Sequence, residues 1–534
     1  MELYNVLNHH MEASRPVKSN MRKKSTIRAI GFWLPIVAII IVAAYLRLYK
    51  ISEYMTFLGD EGRDVLVVKR MIVDHKLTLL GPTASLGGFF LGPIYYYFMV
   101  PFLWLWKLNP TGPAVMVAIA GIATVYLVYR MGRDFFGKRV GIAAASLYAL
   151  SPLVIAHARS SWNPNLVPFF SALFIYILWA IVVRDRWKWV FYAGICFGIG
   201  LQLHYLFVFL LPVAVVWLLF WGSRKKYLIY AMLGLIGFVI GYAPFLAFEV
   251  RHGFPNTQSV VRFILEGKDT GFSRNTFWVN VSGVVFRIFG RLVFYLPEKN
   301  MWSQFQPWQI WLWIGAVRLA VLATVAWSLA MMLAVVRRVN YSIALVLLWT
   351  LVVVVMFGFY KREIYDYYFT IVFAAPFLLV SYYIDWLGSR RWGRWIAWAA
   401  LVSLLLLNWS GRPFRYPPNN QLGQSMNIAR TAFDKTGGNP FNFALITDHN
   451  SDHAYRYFFE IWGNPPVTIE NEAKDPGRNT VTDQLIVICE NPDCKPLGHP
   501  LWEVAGFGQA EIEGFWDVPF VRIFKLRHAD QKES

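Results

Sequence analysis

Three carboxylates fall within about one helical turn in "MTFLGDEGRDVLVVKRM", residues 55–71: Asp60, Glu61 and Asp64, with Arg63 among them. Carboxylates can take a proton from a hydroxyl or hold a hard cation. Asp60 and Asp64 are four residues apart, so a helix starting here puts both on one face. Val65, Val68 and Ile72 give that helix an apolar side to lie on a membrane. The same acids suit a plain helix N-terminus, where the macrodipole favours negative charge. Position separates the readings. The cluster is the first dense group of acids after "AIGFWLPIVAIIIVAAYL" (29–46), a run long enough to cross a bilayer. Polar groups at that depth are costly unless solvated or used.

Further groups able to do chemistry recur at intervals. "HARSSWNPN" (157–165) offers His157, Arg159, Asn163 and Asn165, and "LQLHYL" sets His204 and Tyr205 in a very short turn. "FEVRHGFPNT" (248–257) brings Glu249, Arg251 and His252 to a helix end, and "YKREIYDYYF" (360–369) supplies Lys361, Arg362 and Tyr367. The cations among them, with Arg63, could stabilise charge developing on a phosphate. Each also reads as an interfacial anchor with its head among lipid headgroups. "TDHNSDH" (447–453) reads either as a metal site or as a turn and N-cap. No Gly-rich phosphate loop and no Ser/His/Asp nucleophile pattern is present.

The elements that must position these groups are membrane helices. The 534 residues are 57% hydrophobic, 17% aromatic and only 16% charged, which does not suit a string of soluble domains. A net charge of +19, from 51 Lys+Arg against 32 Asp+Glu, would suggest nucleic acid in a soluble protein. In a membrane protein it reads as basic cytoplasmic loops, and nucleic acid is not expected as a partner. The clusters are Arg22, Lys23, Lys24 and Arg28, then 130–139, 184–188, 223–226, 337–338 and 389–394. If all face the cytoplasm, an even number of crossings separates each from the next. "FFLGPIYYYFMVPFLWLW" (89–106), broken by Gly92, Pro93 and Pro101 and rich in aromatics, then lies on the outer surface. Its Tyr95 and Tyr96 become candidates for the wall of a lipid groove.

The expected fold is an α-helical polytopic membrane protein with about eleven crossings, the N-terminus inside. They fall near 29–48, 112–129, 140–156, 166–183, 189–203, 205–222, 227–246, 308–336, 342–359, 367–386 and 395–408. The expected domains are a basic cytoplasmic N-terminus (1–28), a transmembrane catalytic domain (29–408) with its first outer loop at 49–111, and an extracytoplasmic α/β domain (409–534). Strand-like "FNFALIT", "QLIVICE" and "FVRIFKL" and helix-like "SDHAYRYFFEIW" mark that tail. In it "CENPDC" (489–494) reads either as a tight disulfide loop or as two free thiols.

The order of one membrane helix, an outer loop with an Asp-Glu pair, two membrane-lying helices, then "YRMGRDFFGKRVGIAAASLYALSPL" and a second short outer loop resembles the GT-C glycosyltransferases that use polyprenyl-phosphate sugars. It is most similar to their protein mannosyltransferase and lipid A aminoarabinose transferase branch, glycosyltransferase family 39. The resemblance covers roughly residues 30–390, its first 170 residues most specifically. It implies an inverting transfer from a polyprenyl-phosphate donor to a protein, lipid or glycan acceptor at the outer face of the cytoplasmic membrane. Asp60 would be the catalytic acid, Glu61 its neighbour, and Lys361 and Arg362 would contact the lipid phosphate. Two departures stand out. Asn163 precedes Pro164 where many relatives have an acid, which weakens the case for a divalent cation such as Mg or Mn, and no metal ligand is assigned. Relatives place a lysine ahead of the aromatic interfacial helix, and "GGFFLGPIYYY" (87–97) offers none. The alternative is a transporter or glycolipid flippase, which would place ionisable groups near mid-membrane, often with inverted repeats. Here charges gather at one face and no repeat is visible.

Overall fold

A computed structural model describes residues 20–84, 88–222, 227–296, 299–337, 340–448, 450–491 and 493–529. Residues 1–19 of the basic N-terminus, the 223–226 cluster, Arg338 and His449 of "TDHNSDH" lie outside them. The chain is helical to Ser410 and ends in a mixed four-stranded sheet.

Each of the eleven apolar stretches coincides with a helix or a closely joined pair. Among the described residues five helices qualify by length and apolarity as membrane spans: Thr111–Phe136, Asn163–Val183, Ile229–His252, Pro307–Met331 and Tyr341–Gly358. The pair Asp366–Val372 and Ala374–Gly388, bent by 65°, is a broken span, which would be a sixth, or a re-entrant loop. Other stretches break early. Lys138–Leu150 has 13 residues, about 20 Å of helix, short of a hydrocarbon core of about 30 Å. The aromatic helix Ile94–Leu105 is shorter still at 12 residues, which fits a surface-lying element.

Two ends of the bundle differ in chemistry. At one, Asp134 gathers Arg130, Arg133 and Arg184 at 2.9–3.3 Å, so the 130–139 and 184–188 clusters share that end. At the other, loops far apart in sequence converge. The Thr56 amide donates to Ser160 Oγ at 3.0 Å, Ser151 Oγ donates to the Leu292 carbonyl at 2.7 Å, and Arg291 pairs with Asp366 at 2.8 Å. The long 247–307 segment, read as an outer loop, holds two helices at this end, Pro255–Glu266 and Arg274–Gly290.

The tail follows from its alternation. β1 (Asn442–Ile446) pairs parallel with β2 (Gln484–Cys489). β2 and β3 (Ala510–Val518) each pair antiparallel with β4 (Val521–His528), giving the order β1-β2-β4-β3. β2 is buried throughout, so its two faces serve two cores. Leu485 and Val487 pack with Phe507 and Leu526, whereas Ile486 and Ile488 join a cluster continuous with the bundle. The helices Gln421–Lys435 and His453–Ile461 cover that second face, and the tail thereby rests on the helix Gly59–Val73 and the short helix before it. Cys489 and Cys494 are joined as a disulfide.

One expectation is corrected. The apolar side of the helix Gly59–Val73 does not lie on a membrane: Val65 and Val68 are buried in protein, between the helices Ile94–Leu105 and His453–Ile461.

Candidate active site

The Gly59–Val73 helix begins one residue after Leu58, whose amide donates to Glu61 Oε2 at 3.1 Å, half of a capping box. Glu61 is thereby turned inward and is 7% exposed. Asp60 points the other way, its side chain 56% exposed. Asp64, one turn on, is fully buried. Arg63 joins the two aspartates, with Nη1 on Asp60 at 2.9 Å and Nη2 on Asp64 at 2.8 Å. The Tyr96 hydroxyl donates to Asp64 at 3.2 Å, and Tyr95 pairs with Ser161 Oγ at 2.7 Å. A rigid acid cluster thus presents one carboxylate outward.

That carboxylate opens on a cavity of about 550 Å³. Asp60 and Glu61 form one wall, His157, Ser160, Trp162 and Asn165 a second, and Asn450 and Ser451 of the tail a third. His157 Nδ1 and Asn165 Oδ1 lie 3.0 Å apart, and Asn165 Nδ2 donates to the Ser160 carbonyl at 2.9 Å. Tyr367 packs on Trp162 with ring centroids 4.6 Å apart, which brings the 360–368 loop to the rim.

The tail reaches in through two glycines. A Cβ at Gly59 would lie 2.0 Å from Ser451 Oγ, and one at Gly62 would lie 2.3 Å from the Ala454 amide nitrogen. The Gly59 amide donates to Asn450 Oδ1 at 3.0 Å. Only a side chain without a Cβ lets the two backbones approach this closely. Ser451 Oγ in turn lies 2.8 Å from His453 Nδ1. Burial, aided by Arg63 and Arg456, holds that imidazole below its usual range against the pull of Asp452 and Asp60.

The remaining sequence candidates are placed elsewhere. Arg159 is buried and donates to the carbonyls of Leu46 and Tyr49, capping the C-terminus of the first membrane helix. Asn163 donates to the Leu203 carbonyl at 2.7 Å. His204 Nδ1 accepts from the Leu206 amide, and its ring stacks on Tyr205 at 4.6 Å. Glu249 is the N-terminal anchor of the helix Pro255–Glu266, accepting from Asn256 and Thr257. Arg251 and His252 are exposed at a helix end. Lys361 donates to the Gly267 carbonyl at 2.7 Å and Arg362 pairs with Asp269, so both brace the 267–271 segment beside the 360–368 loop.

Among the described residues no group of three His, Cys, Asp or Glu side chains is placed to hold a metal ion. The cavity offers one exposed carboxylate, already paired with Arg63, and otherwise mainly amides and hydroxyls. That donor set is poor in the anionic oxygens Mg²⁺ or Mn²⁺ would want.

Burial pushes Glu61 up to about 7, against the hydrogen bonds that favour its anion. Burial likewise pushes Asp64 up to about 6, outweighing Arg63. A carboxyl raised on folding binds its proton more tightly folded than unfolded. Its contribution to stability is therefore full below its ordinary value, 4.5 for Glu61, and is lost as pH rises through about 7. Glu61→Gln removes that dependence while keeping an acceptor for the Leu58 amide. We expect the melting temperature of the wild type to fall more steeply than that of Glu61→Gln across this window. Parallel melting curves against pH would contradict the assignment.

The fold around this cavity is shared with two solved structures. The chain superposes on ArnT from Cupriavidus metallidurans bound to undecaprenyl phosphate with a TM-score of 0.57, at 13% identity over 93% of this chain and 98% of that one. It superposes on the archaeal oligosaccharyltransferase AglB from Archaeoglobus fulgidus, in complex with an inhibitory peptide and a dolichol-phosphate, with a TM-score of 0.52 at 13% identity, over 95% and 75% of the two chains. Residues 92–248 match the family model described as dolichyl-phosphate-mannose-protein mannosyltransferase. The Bacillus subtilis (strain 168) protein YkcB, provisionally named a mannosyltransferase, is 29% identical over 83 residues, a match spanning 16% of this chain and only 12% of that protein.

Proposed function

We propose that the chain is an integral membrane glycosyltransferase, moving a sugar from a polyprenyl-phosphate carrier onto an acceptor hydroxyl at the extracytoplasmic face of the cell membrane. The observation that supports this most is the Asp60 cavity: an outward carboxylate on a rigid helix start, in a fold shared with a protein bound to undecaprenyl phosphate. The acceptor oxygen forms a bond to the anomeric carbon as the bond from that carbon to the carrier phosphate breaks. Asp60 takes the hydroxyl proton, and the carrier leaves as its phosphate. A single displacement inverts the anomeric centre. Asn165, His157 and Ser451, on the same walls, orient acceptor or sugar.

With the N-terminus inside, a single crossing by the first apolar run carries the Asp60 loop to the outer face. The convergence of two basic clusters on Asp134, at the end away from Asp60, supports that orientation under the positive-inside tendency. The acceptor is a protein, a lipid or a surface glycan. Purified chain given radiolabelled polyprenyl-phosphate sugar and a membrane extract should move label into the extract. Label that crosses a bilayer on intact carrier lipid, without transfer, would replace this reading with a flippase.

A further inference from the structure

A second cavity, of about 540 Å³, lies inside the tail. It sits where the parallel strands β1 and β2 end, between Thr447 and Glu490, the crevice in which open α/β sheets tend to hold ligands. Leu58 and Asn450 belong to the walls of both this cavity and the one at Asp60, so the two adjoin. Asn450 links them directly. Its amide nitrogen donates to Glu490 Oε1 at 2.8 Å, and its oxygen accepts from the Gly59 amide, one residue before Asp60.

The lining fixes the chemistry of an occupant. Among the described residues no Lys, Arg or His faces the cavity, whereas two carboxylates, Asp448 and Glu490, do. A phosphate or a uronic acid would meet like charge at both of these carboxylates. Glu490 is held rigid by Asn450, by the Tyr455 hydroxyl at 2.9 Å and by Thr447 Oγ1 at 2.7 Å. Gln424 adds an amide to the wall. Hydroxyl groups are the natural partners of such oriented acceptors and amides. At the rim stands Phe520, 74% exposed and held at φ +75° in the β3–β4 turn. That conformation is a genuine outlier for a bulky side chain, and it leaves an aromatic face beside a polar pocket.

We propose that this cavity binds a neutral, hydroxyl-rich glycan segment of the acceptor, stacked on Phe520 and bonded by Glu490 and Gln424, so that a neighbouring hydroxyl reaches Asp60. This rests on the glycosyltransfer reading but is tested by binding alone. The full chain in detergent, as Asp60→Asn to prevent turnover, is titrated calorimetrically with mannotriose, trigalacturonate and a Ser/Thr-rich hexapeptide. Mannotriose should bind, and Phe520→Ala should weaken it about tenfold with no fall in melting temperature. Asn491→Lys, on the same wall, should shift preference toward trigalacturonate. No heat with mannotriose, equal binding by Phe520→Ala, or preference of the parent chain for the acid or the peptide would overturn the proposal. Mannotriose binding by a chain that transfers no lipid-linked sugar would sink the transferase reading and leave this subsite standing. Transfer without such binding would do the reverse.

Discussion

Asp60→Asn should lower sugar transfer by about 10²–10⁴-fold, the range a positioned general base supplies, while donor binding and the melting temperature stay near wild type. The substitution is nearly isosteric and leaves an oxygen to accept from Arg63. Little stability is at stake, because an exposed ion pair contributes about 1 kcal/mol at most, and the side chain is 56% exposed. The loss therefore belongs to proton transfer and not to folding. Glu61 cannot substitute, since its carboxylate is turned to the Leu58 amide and buried. Transfer retained by Asp60→Asn within a few-fold would remove the base from the mechanism.

The second large effect is steric. A Cβ at Gly62 would come within 2.3 Å of the Ala454 nitrogen and 2.5 Å of its Cα, atoms of a helix backbone that cannot rotate away. Gly62→Val should therefore push the helix His453–Ile461 off the helix Gly59–Val73, at about 1–3 kcal/mol for overpacking alone. Because Asn450 and Ser451 precede that helix and wall the cavity, transfer should fall together with stability. Limited proteolysis should release the tail at lower protease concentration, and calorimetry should show an earlier transition. Gly283→Ala is the control: nothing lies within 4 Å of its Cβ position, and helix propensity favours the change. Wild-type proteolysis and transfer in Gly62→Val would contradict the docking described.

How much of this was legible from sequence depended on how local the cause was. The acids at 60–64 stood out because they follow a membrane-length apolar run. The reading of 89–106 as a non-spanning segment rested on Pro93, Pro101 and loop charge, and its helix Ile94–Leu105 has 12 residues. Contacts across long separations were not legible. Gly59 and Asn450 are 391 residues apart, and nothing in "TDHNSDH" says that its Asn and Ser complete an acid site. The spacing Gly59-x-x-Gly62 was the available signal, a small-residue face at i and i+3, but it was overshadowed by the acids within it. β3 was missed because "AEIEGFWDV" is an acidic, solvent-facing edge strand without clean alternation. Arg159 reads as a phosphate ligand by charge alone, yet its hydrogen bonds go to helix-end carbonyls, a demand set by the fold.

The most direct test is the accessibility of position 60 itself. Cys196 is buried, and Cys489 and Cys494 are bonded to each other, so an Asp60→Cys chain presents one reactive, exposed thiol among its four cysteines. Intact cells expressing it are treated with a membrane-impermeant maleimide, with and without prior permeabilisation. The cavity described here predicts equal labelling in both, at the extracytoplasmic face. Labelling that appears only once the membrane is breached would place the carboxylate on the wrong side for this chemistry.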